Sequence, residues 1–214
     1  SDEYRRLDAS YRENFKRFVE EAKYYDIFLI STKGDIVYTQ AHESDFATNL
    51  LTGPYRDTGL GKVTRYALDN LKSSISDFER YEPSHNAIAA FVATPVIING
   101  EIKGVLALQI YSERVFAVIA NNVGLSDSGE TVVARREDDR SALVMAPLKF
   151  DPDAALKRRI PLNTLSAQAV QNALSGDSGD ALTLDYRGKE VVAAWRYLPL
   201  MKWGIVVHID ADEA

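Results

Sequence analysis

The sequence contains no cysteine and no excess of basic residues, and each shortage removes a class of function. Without cysteine there is no disulfide framework, no thiolate nucleophile and no cysteine zinc site. With 25 basic and 31 acidic residues the net charge is -6, so no basic field attracts phosphate backbones and we predict no nucleic-acid partner. The remaining composition, 46% hydrophobic and 26% charged over 214 residues, is typical of a globular protein with one large core or two smaller ones.

Long apolar runs are also missing. The longest, from Ala87 to Ile98, has about a dozen residues and contains Pro95, whereas a membrane-spanning helix needs roughly 20 apolar residues. We therefore predict that no segment of this chain crosses a membrane. The first residues, "SDEYRRLDASYRENF", include no initiator methionine and no apolar signal sequence, and we expect the chain to be part of a longer protein.

Motifs for catalysis and phosphate binding are incomplete. The segment "SGDSGD" at 175–180 lacks the second adjacent glycine of a trypsin-like nucleophile loop, and a turn before a strand explains it better. The segment "TGLGK" at 58–62 lacks the first glycine and the final Ser or Thr of a phosphate-binding loop. The histidines at 42, 85 and 208 form no helical i, i+4 pair. We predict no enzyme, no metal site and no cofactor.

Hydrophobic periodicity predicts a long amphipathic helix over residues 1–24. This helix packs on its own domain or forms a dimer seam, and the pattern leaves both readings open. Its apolar positions recur at spacings of three and four: Tyr4, Leu7, Tyr11, Phe15, Phe18, Val19 and Ala22.

Two similar halves follow this helix. Residues 25–120 read as strand, strand, helix and three strands, and the Asn99-Gly100 pair predicts a hairpin between the last two strands. Residues 121–214 repeat the order, with a helix whose predicted N-cap is Asn163. The fold class is therefore α+β, with two tandem domains of about 100 residues that each contain a central antiparallel sheet.

The segment "SDFERYEPSHNAIAAFVATPV" places polar and aromatic residues directly before an apolar strand. Strict alternation along "SISDFERY" puts Asp77 and Tyr81 on one face, on a strand that leads to Phe91. This pattern fits the wall of a pocket with a few placed polar groups. The alternative is structural, with Asp77 capping a loop amide and Tyr81 packing at the sheet edge.

Several phrases resemble the double Cache family, the two-lobed PAS-like sensor modules in the extracytoplasmic parts of bacterial receptors. They are "YYDIFLISTKGDIVYT", "SDFATNLLTGPYRDTGLGK", "ISDFERYEPS", "PVIINGEIKGVLALQI" and "DYRGKEVVAAWRYLPLMKWGIVVHIDADEA", and together they cover nearly the whole chain. The resemblance implies two PAS-like domains, flanked by helices and by membrane spans outside the chain. It also implies a periplasmic location and a homodimeric parent receptor, such as a histidine kinase or chemoreceptor.

The same resemblance implies a ligand pocket in a membrane-distal lobe, residues 25–120, above a membrane-proximal lobe, residues 121–214. Family members that bind amino acids carry an aspartate on the last distal strand, where this chain has Gln109, so a neutral or anionic metabolite is favoured. Arg56 is the nearest candidate to hold a carboxylate. The pocket residues implied are Tyr55, Arg56, Leu60, Asp77, Tyr81, Phe91 and Gln109.

The leading function from the sequence is therefore an extracytoplasmic ligand-sensing module. Binding of a small molecule in the distal lobe would change the conformation of the receptor across the membrane. The alternative is a cytoplasmic PAS-type domain that holds a cofactor or a partner protein, and an enzyme of unidentified type comes third.

Overall fold

The computed structural model describes residues 2–214, except for the side chains of residues 2–5, 7 and 8. The predicted apolar positions Tyr4 and Leu7 are among these exceptions, so their contacts lie outside the described residues. The chain divides into two compact units, the first ending at Ser112 and the second beginning at Glu113. Over the described residues, none of the helices combines the length and the apolar character that a membrane crossing requires.

The N-terminal unit consists of two helices and a six-stranded antiparallel sheet. The elements are α1 (Asp2–Ala22), β1 (Asp26–Ile30), β2 (Ile36–Thr39), α2 (Gly59–Asn70), β3 (Ser74–Ile75), β4 (Glu79–Tyr81), β5 (Ala87–Ile98) and β6 (Glu101–Tyr111). The strand order is β2-β1-β6-β5-β3, and β4 also pairs with β5. Asn99 and Gly100 have φ values of 53° and 80°, which is the turn conformation predicted between β5 and β6.

Side-chain alternation along β1 divides the core of this unit between the two faces of the sheet. Phe28 packs on one face with Leu60 of α2, in the larger cluster. Ile27 packs on the opposite face with Val19 of α1. The helix therefore packs on its own unit, which is one of the two arrangements left open by the sequence, while Tyr11 and Phe18 on α1 remain exposed.

The strand predicted over "SSISDFERY" is interrupted, and strict alternation is wrong there. Residues 76–78 are not in a strand, and they separate β3 from β4. Phe78 and Tyr81 are both buried, although alternation placed them on opposite faces. The reason is that the Ser76 hydroxyl accepts the backbone N–H of Phe91 at 2.9 Å, in place of a backbone carbonyl.

The C-terminal unit repeats this arrangement with a second six-stranded sheet. Its elements are α3 (Ser112–Ile119), β7 (Glu130–Arg136), β8 (Ser141–Val144), β9 (Arg159–Pro161), α4 (Gln168–Leu174), β10 (Gly179–Leu184), β11 (Glu190–Leu198) and β12 (Trp203–Asp210). The antiparallel strand order is β10-β11-β12-β7-β8-β9. The helix predicted to start at an Asn163 cap begins later, because Asn163 has a φ of 63° and a 3-10 turn at Leu165–Ala167 precedes α4.

The two sheets share one topology, because β7, β8, β11 and β12 take the places of β1, β2, β5 and β6. In each sheet the last long strand lies between the first strand and its own hairpin partner. The predicted α+β fold class with two antiparallel sheets is confirmed. The core of the second unit lies between its sheet and α4, where Val132, Val191 and Val206 pack around Val170.

Candidate functional site

Hydrogen-bonded polar side chains gather at one end of the sheet in the N-terminal unit. They come from the residue that precedes β1, from the loop 40–58 between β2 and α2, from β4, from the connection 82–86 between β4 and β5, and from β6. We call this set the polar cluster, and its members are Tyr25, Glu43, Ser44, Asp45, Tyr55, Tyr81, Glu82, Ser84 and Gln109.

A buried tyrosine and a buried aspartate form the centre of the polar cluster. The Tyr81 hydroxyl donates to Asp45 Oδ2 at 2.6 Å, and both residues are 0% exposed. The Tyr81 ring contacts the Phe91 ring edge-on, at 4.8 Å between centroids. Burial raises the pKa of Asp45, and the Tyr81 hydrogen bond opposes that rise in part.

The second carboxylate oxygen of Asp45 lacks a side-chain donor. Within the described part of the chain, Asp45 Oδ1 is buried and has no partner in full hydrogen-bonding geometry, while the backbone N–H groups of Asp45 and Phe46 lie near the carboxylate and lower its pKa. A buried polar atom in this condition costs about 1–3 kcal/mol. A ligand with an N–H or O–H donor would satisfy this oxygen and remove that cost.

Glu43 anchors a second branch of the polar cluster. Its Oε1 accepts from the Tyr25 hydroxyl at 2.5 Å, and its Oε2 accepts from the Ser84 hydroxyl at 2.6 Å. Gln109 Nε2 in turn donates to Ser84 Oγ at 3.0 Å. Burial and the neighbouring Glu43 raise the pKa of Tyr25 to about 12, so this hydroxyl stays protonated and acts as a donor.

The polar cluster extends to the protein surface through Tyr55. The Tyr55 hydroxyl donates to Glu82 Oε2 at 2.9 Å and also bonds the Ser44 hydroxyl at 3.0 Å. Both Ser44 and Glu82 are exposed. Because the Tyr55 and Tyr81 rings are neighbours at 6.2 Å, the cluster runs from an accessible edge to the buried carboxylate of Asp45.

The start of α2 fixes the position of Tyr55. The Thr58 hydroxyl accepts from Gly61 N at 3.2 Å, and Glu79 Oε1 accepts from Gly59 N at 2.6 Å, so two of the free N–H groups of the first helical turn have partners. A Cβ at Gly61 would lie 2.6 Å from the Tyr55 carbonyl oxygen. The "TGLGK" segment is therefore a helix start that requires a glycine beside Tyr55.

Five of the seven predicted pocket residues lie together. Leu60, Tyr81 and Phe91 belong to the buried core cluster under α2, and Tyr55 packs against it. Gln109 is paired with Phe91 across β5 and β6, which places both side chains on one face of the sheet. Their role in binding stays a prediction.

The other two predicted residues have different surroundings. Asp77 is half-buried and accepts the backbone N–H of Phe78 at 2.8 Å, which matches the structural alternative considered for it. Arg56 pairs with its neighbour Asp57 at 3.2 Å, and its side chain is 55% exposed. Neither is hydrogen-bonded to the polar cluster through these contacts.

The sequence analysis did not identify the acidic residues at the buried end of this site. Glu43 and Asp45 lie in "AHESDF", where the only signal is a pair of acids directly after a predicted strand. Asp26 opens the apolar strand "DIFLI", is fully buried and is paired with Gln109 across β1 and β6. An acid at the start of a buried strand is the signal that could have identified it.

Asp26 connects β1 to the loop that carries Glu43 and Asp45. Its Oδ1 accepts the backbone N–H groups of Gln40 and Ala41 at 2.8 and 3.0 Å. The Thr39 hydroxyl donates to its Oδ2. Burial raises the pKa of Asp26 to about 6, although these hydrogen bonds act in the opposite direction.

An equivalent place in the C-terminal unit also carries buried polar side chains. Glu130 of β7 is paired with His208 of β12, as Asp26 of β1 is paired with Gln109 of β6. Glu130 Oε2 accepts from the Tyr186 hydroxyl at 2.9 Å and lies 3.4 Å from His208 Nε2. Among the described residues of both units, no group of three His, Asp or Glu side chains could hold a metal ion.

Comparison with known proteins identifies the fold. No protein-family model and no curated protein matches the chain. The extracellular domain of mmHK1S-Z3, described as a histidine kinase, matches with a TM-score of 0.61 and 13% identity, over 93% of this chain and 77% of that one. The ligand-binding domain of the Pseudomonas aeruginosa PAO1 amino acid chemoreceptor PctB, in complex with L-Arg, gives 0.58 and 15%, over 90% and 74%.

A third solved structure agrees with these two. The ligand-binding domain of Mlp24 with asparagine matches with a TM-score of 0.55 and 15% identity, over 97% of this chain and 78% of that one. At such identities the similarity establishes the fold alone. The chain has the fold of the extracellular sensor domains of histidine kinases and chemoreceptors, as the resemblance to the double Cache family predicted.

Proposed function

We propose that this chain is the extracytoplasmic ligand-sensing module of a bacterial transmembrane receptor. The N-terminal unit, as the membrane-distal lobe, binds a small molecule at the polar cluster, and the C-terminal unit is the membrane-proximal lobe. The observation that carries the proposal is the buried, incompletely bonded carboxylate of Asp45, within a fold whose known examples bind ligands. The chain itself catalyses no reaction.

The construction of the polar cluster suggests how binding would be communicated. Glu43, Asp45 and Tyr55 lie in the loop 40–58, whereas Tyr81 and Gln109 lie on strands of the sheet. A ligand that bonds both groups favours one position of the loop relative to the sheet. Such a ligand shifts the population between two arrangements only by its difference in affinity for them.

The parent receptor would be a membrane-anchored homodimer. Tyr11 and Phe18 are exposed on α1 and offer apolar surface for a second copy of the helix. The alternative from the sequence, a cytoplasmic PAS-type domain, predicts a different cellular location. That difference makes the two functions easy to separate.

Ligand binding is tested by thermal denaturation of the chain in the presence of a library of small acids, amides, amines, alcohols and amino acids. We expect at least one class to raise the melting temperature, and Tyr55→Ala to abolish the effect because Tyr55 connects the surface to Tyr81. Tyr66→Ala is the matched control, since Tyr66 is an exposed tyrosine of α2 outside the polar cluster. If no compound stabilises the chain, or if the two variants respond alike, this proposal is wrong.

The location is tested in the parent protein by single-cysteine labelling. Because the chain contains no cysteine, Glu101→Cys at the exposed β5–β6 hairpin introduces one unique thiol into this region. We expect a membrane-impermeant maleimide to label it in intact cells with a permeable outer membrane. Labelling only after lysis of the inner membrane would support the cytoplasmic alternative.

A further inference from the structure

We propose that the ligand of the N-terminal unit is an organic amine without a carboxylate, whose ammonium group binds between Asp45 and Glu43. This inference rests on the proposed function and adds the chemical class of the ligand. It depends on three features of the polar cluster: an acceptor without a full hydrogen-bond partner, an excess of negative charge, and, among the described residues, no cation paired with its acids.

The acceptor is Asp45 Oδ1, which is buried beside the Tyr81 hydroxyl bond. An ammonium group offers three N–H donors and one positive charge, and it would satisfy this oxygen. The neighbouring faces of Tyr55 and Tyr81 suit a cation as well, because the ring quadrupole is negative over the face.

The excess charge comes from three carboxylates, Glu43, Asp45 and Glu82. Every side-chain donor to them is a neutral hydroxyl, from Tyr25, Ser84, Tyr81 or Tyr55. Over the described residues, no lysine or arginine side chain forms an ion pair with any of the three. Grouped carboxylates at a partly buried site repel one another, and a bound cation relieves that repulsion.

The arginines of the surrounding elements make other contacts. Arg56 pairs with Asp57 at 3.2 Å, and Arg80 donates to the carbonyl oxygen of Asn86 at 3.2 Å. Arg65 donates to the carbonyl oxygen of Arg56 at 3.5 Å. Arg12 of α1 bonds His42 in the loop 40–58 and lies over the Tyr38 ring. Among the described residues, no arginine forms an ion pair with Glu43, Asp45 or Glu82, so a ligand carboxylate in the polar cluster would meet mainly acids, which disfavours amino acids relative to amines.

This assignment replaces the expectation of a neutral or anionic metabolite. That expectation rested on Gln109, which is neutral, on the last strand and on Arg56 as the nearest candidate to hold a carboxylate. The structure shows that the Gln109 amide donates to Ser84, and that the charge of the site comes from Glu43 and Asp45 in the preceding loop. We infer that Asp45 in the loop 40–58 has the role that the aspartate on the last distal strand has in family members that bind amino acids.

The test compares amines with the amino acids from which they differ by one carboxylate. The pairs are agmatine and L-arginine, ethanolamine and L-serine, and 3-methylbutylamine and L-leucine, each titrated calorimetrically into the complete 214-residue chain. We expect the amine to bind about tenfold more tightly, or better, in at least one pair. Tighter or equal binding of the amino acid in every pair, or no binding of any amine, overturns the inference.

Variants locate the amine within the polar cluster. Asp45→Asn keeps an acceptor for Tyr81 and removes the charge, so we expect amine affinity to fall by about tenfold or more. Asp57→Asn is the matched control, since Asp57 is an exposed acid of the same loop, and it should leave the affinity unchanged. If Asp45→Asn does not fold, Glu43→Gln serves the same purpose, and unchanged affinity in whichever variant folds contradicts the inference.

The outcomes also separate this inference from the proposed function. If amino acids or acids bind in preference to amines and Tyr55→Ala abolishes that binding, the sensor proposal stands and the amine assignment is wrong. If neither the amine series nor the wider library stabilises the chain, both are wrong.

Discussion

The Tyr81 hydroxyl donates to Asp45 Oδ2 at 2.6 Å across a separation of 36 positions in the chain. Tyr81 ends β4, which pairs with β5, whereas Asp45 lies in the loop 40–58. One buried hydrogen bond therefore ties the loop that carries the acids of the polar cluster to the sheet. The bond also gives Asp45 its one side-chain donor among the described residues.

Removing this donor should destabilise the N-terminal unit. In Tyr81→Phe the ring still fills its place in the core, but Asp45 Oδ2 loses its donor, so neither oxygen of this buried carboxylate has a side-chain donor. We expect the free energy of unfolding to fall by about 1–3 kcal/mol, measured by urea denaturation. Tyr66→Phe removes a hydroxyl from an exposed tyrosine and should change the free energy by less than about 0.5 kcal/mol. Equal losses in the two variants would contradict a structural role for the bond.

Local features of the fold were predictable from the sequence because neighbouring residues determine them. Asn99 and Gly100 form the predicted hairpin, since both can adopt positive φ without large strain. The apolar strand from Ala87 to Ile98 and the helix α1 were predicted for a similar reason, because their periodicity is contained in one segment.

The acidic residues at the buried end of the candidate site could not be predicted from such local patterns. Asp45 meets Tyr81 only after the loop 40–58 folds back on the sheet, and no pattern near either residue encodes that contact. The alternation assigned to Asp77 failed because the Ser76 hydroxyl, from a position that looked like ordinary strand, bonds the backbone of Phe91. Contacts between distant segments therefore determine which acid bonds Tyr81.

Asp26 should give the unit a distinctive pH dependence. Burial raises its pKa to about 6, from the usual 3.8, so the folded protein binds the proton more tightly than the unfolded chain does. Its contribution to stability is then fully present below about pH 4 and is lost as the pH rises through about 6. By linkage the loss is roughly 3 kcal/mol, at about 1.4 kcal/mol per pH unit.

The measurement is the free energy of unfolding of the wild type and of Asp26→Asn between pH 4 and pH 7. Asparagine resembles the protonated acid, because it keeps an acceptor for Gln40 and Ala41 and the Thr39 hydroxyl can accept from its amide. We expect the difference in stability between the two proteins to change across this range in the direction stated. A difference that stays constant from pH 4 to pH 7 would show that Asp26 does not titrate there.

Two ion pairs in the C-terminal unit differ in burial, so the effect of burial on their contribution to stability can be measured. Arg187 Nε contacts Asp185 Oδ2 at 2.5 Å, where the two side chains are 18% and 2% exposed, and Arg187 also pairs with Asp210. Arg159 contacts Glu137 at 2.5 Å, but the arginine side chain is 58% exposed. We expect Arg187→Gln to cost about 2–3 kcal/mol and Arg159→Gln less than about 1 kcal/mol in chemical denaturation. A larger loss for Arg159→Gln would contradict the expectation that the more buried ion pair contributes more to stability.

Gly61 lies in the first turn of α2, against the backbone of Tyr55. Replacing it with alanine improves helix propensity but introduces a steric clash. Alanine is the better helix former by up to about 1 kcal/mol. A Cβ at this position, however, would lie 2.5 Å from the carbonyl oxygen of Arg56 and 2.6 Å from that of Tyr55. Backbone atoms of a tight turn cannot rotate away as a side chain would, and overpacking of this kind costs about 1–3 kcal/mol. We expect the steric effect to exceed the helix propensity.

Gly61→Ala should therefore lower the melting temperature and weaken the response to any ligand that Tyr55 contacts. Lys62→Ala is the matched control, because it places the same methyl group at the next, exposed position of α2. That variant should retain the wild-type melting temperature within a degree or two and the full ligand response, since surface substitutions rarely exceed about 0.5 kcal/mol. If Gly61→Ala is instead more stable than the wild type, the turn at Tyr55 can relax to accommodate the Cβ. The close approach of α2 to this turn would then not determine the position of Tyr55.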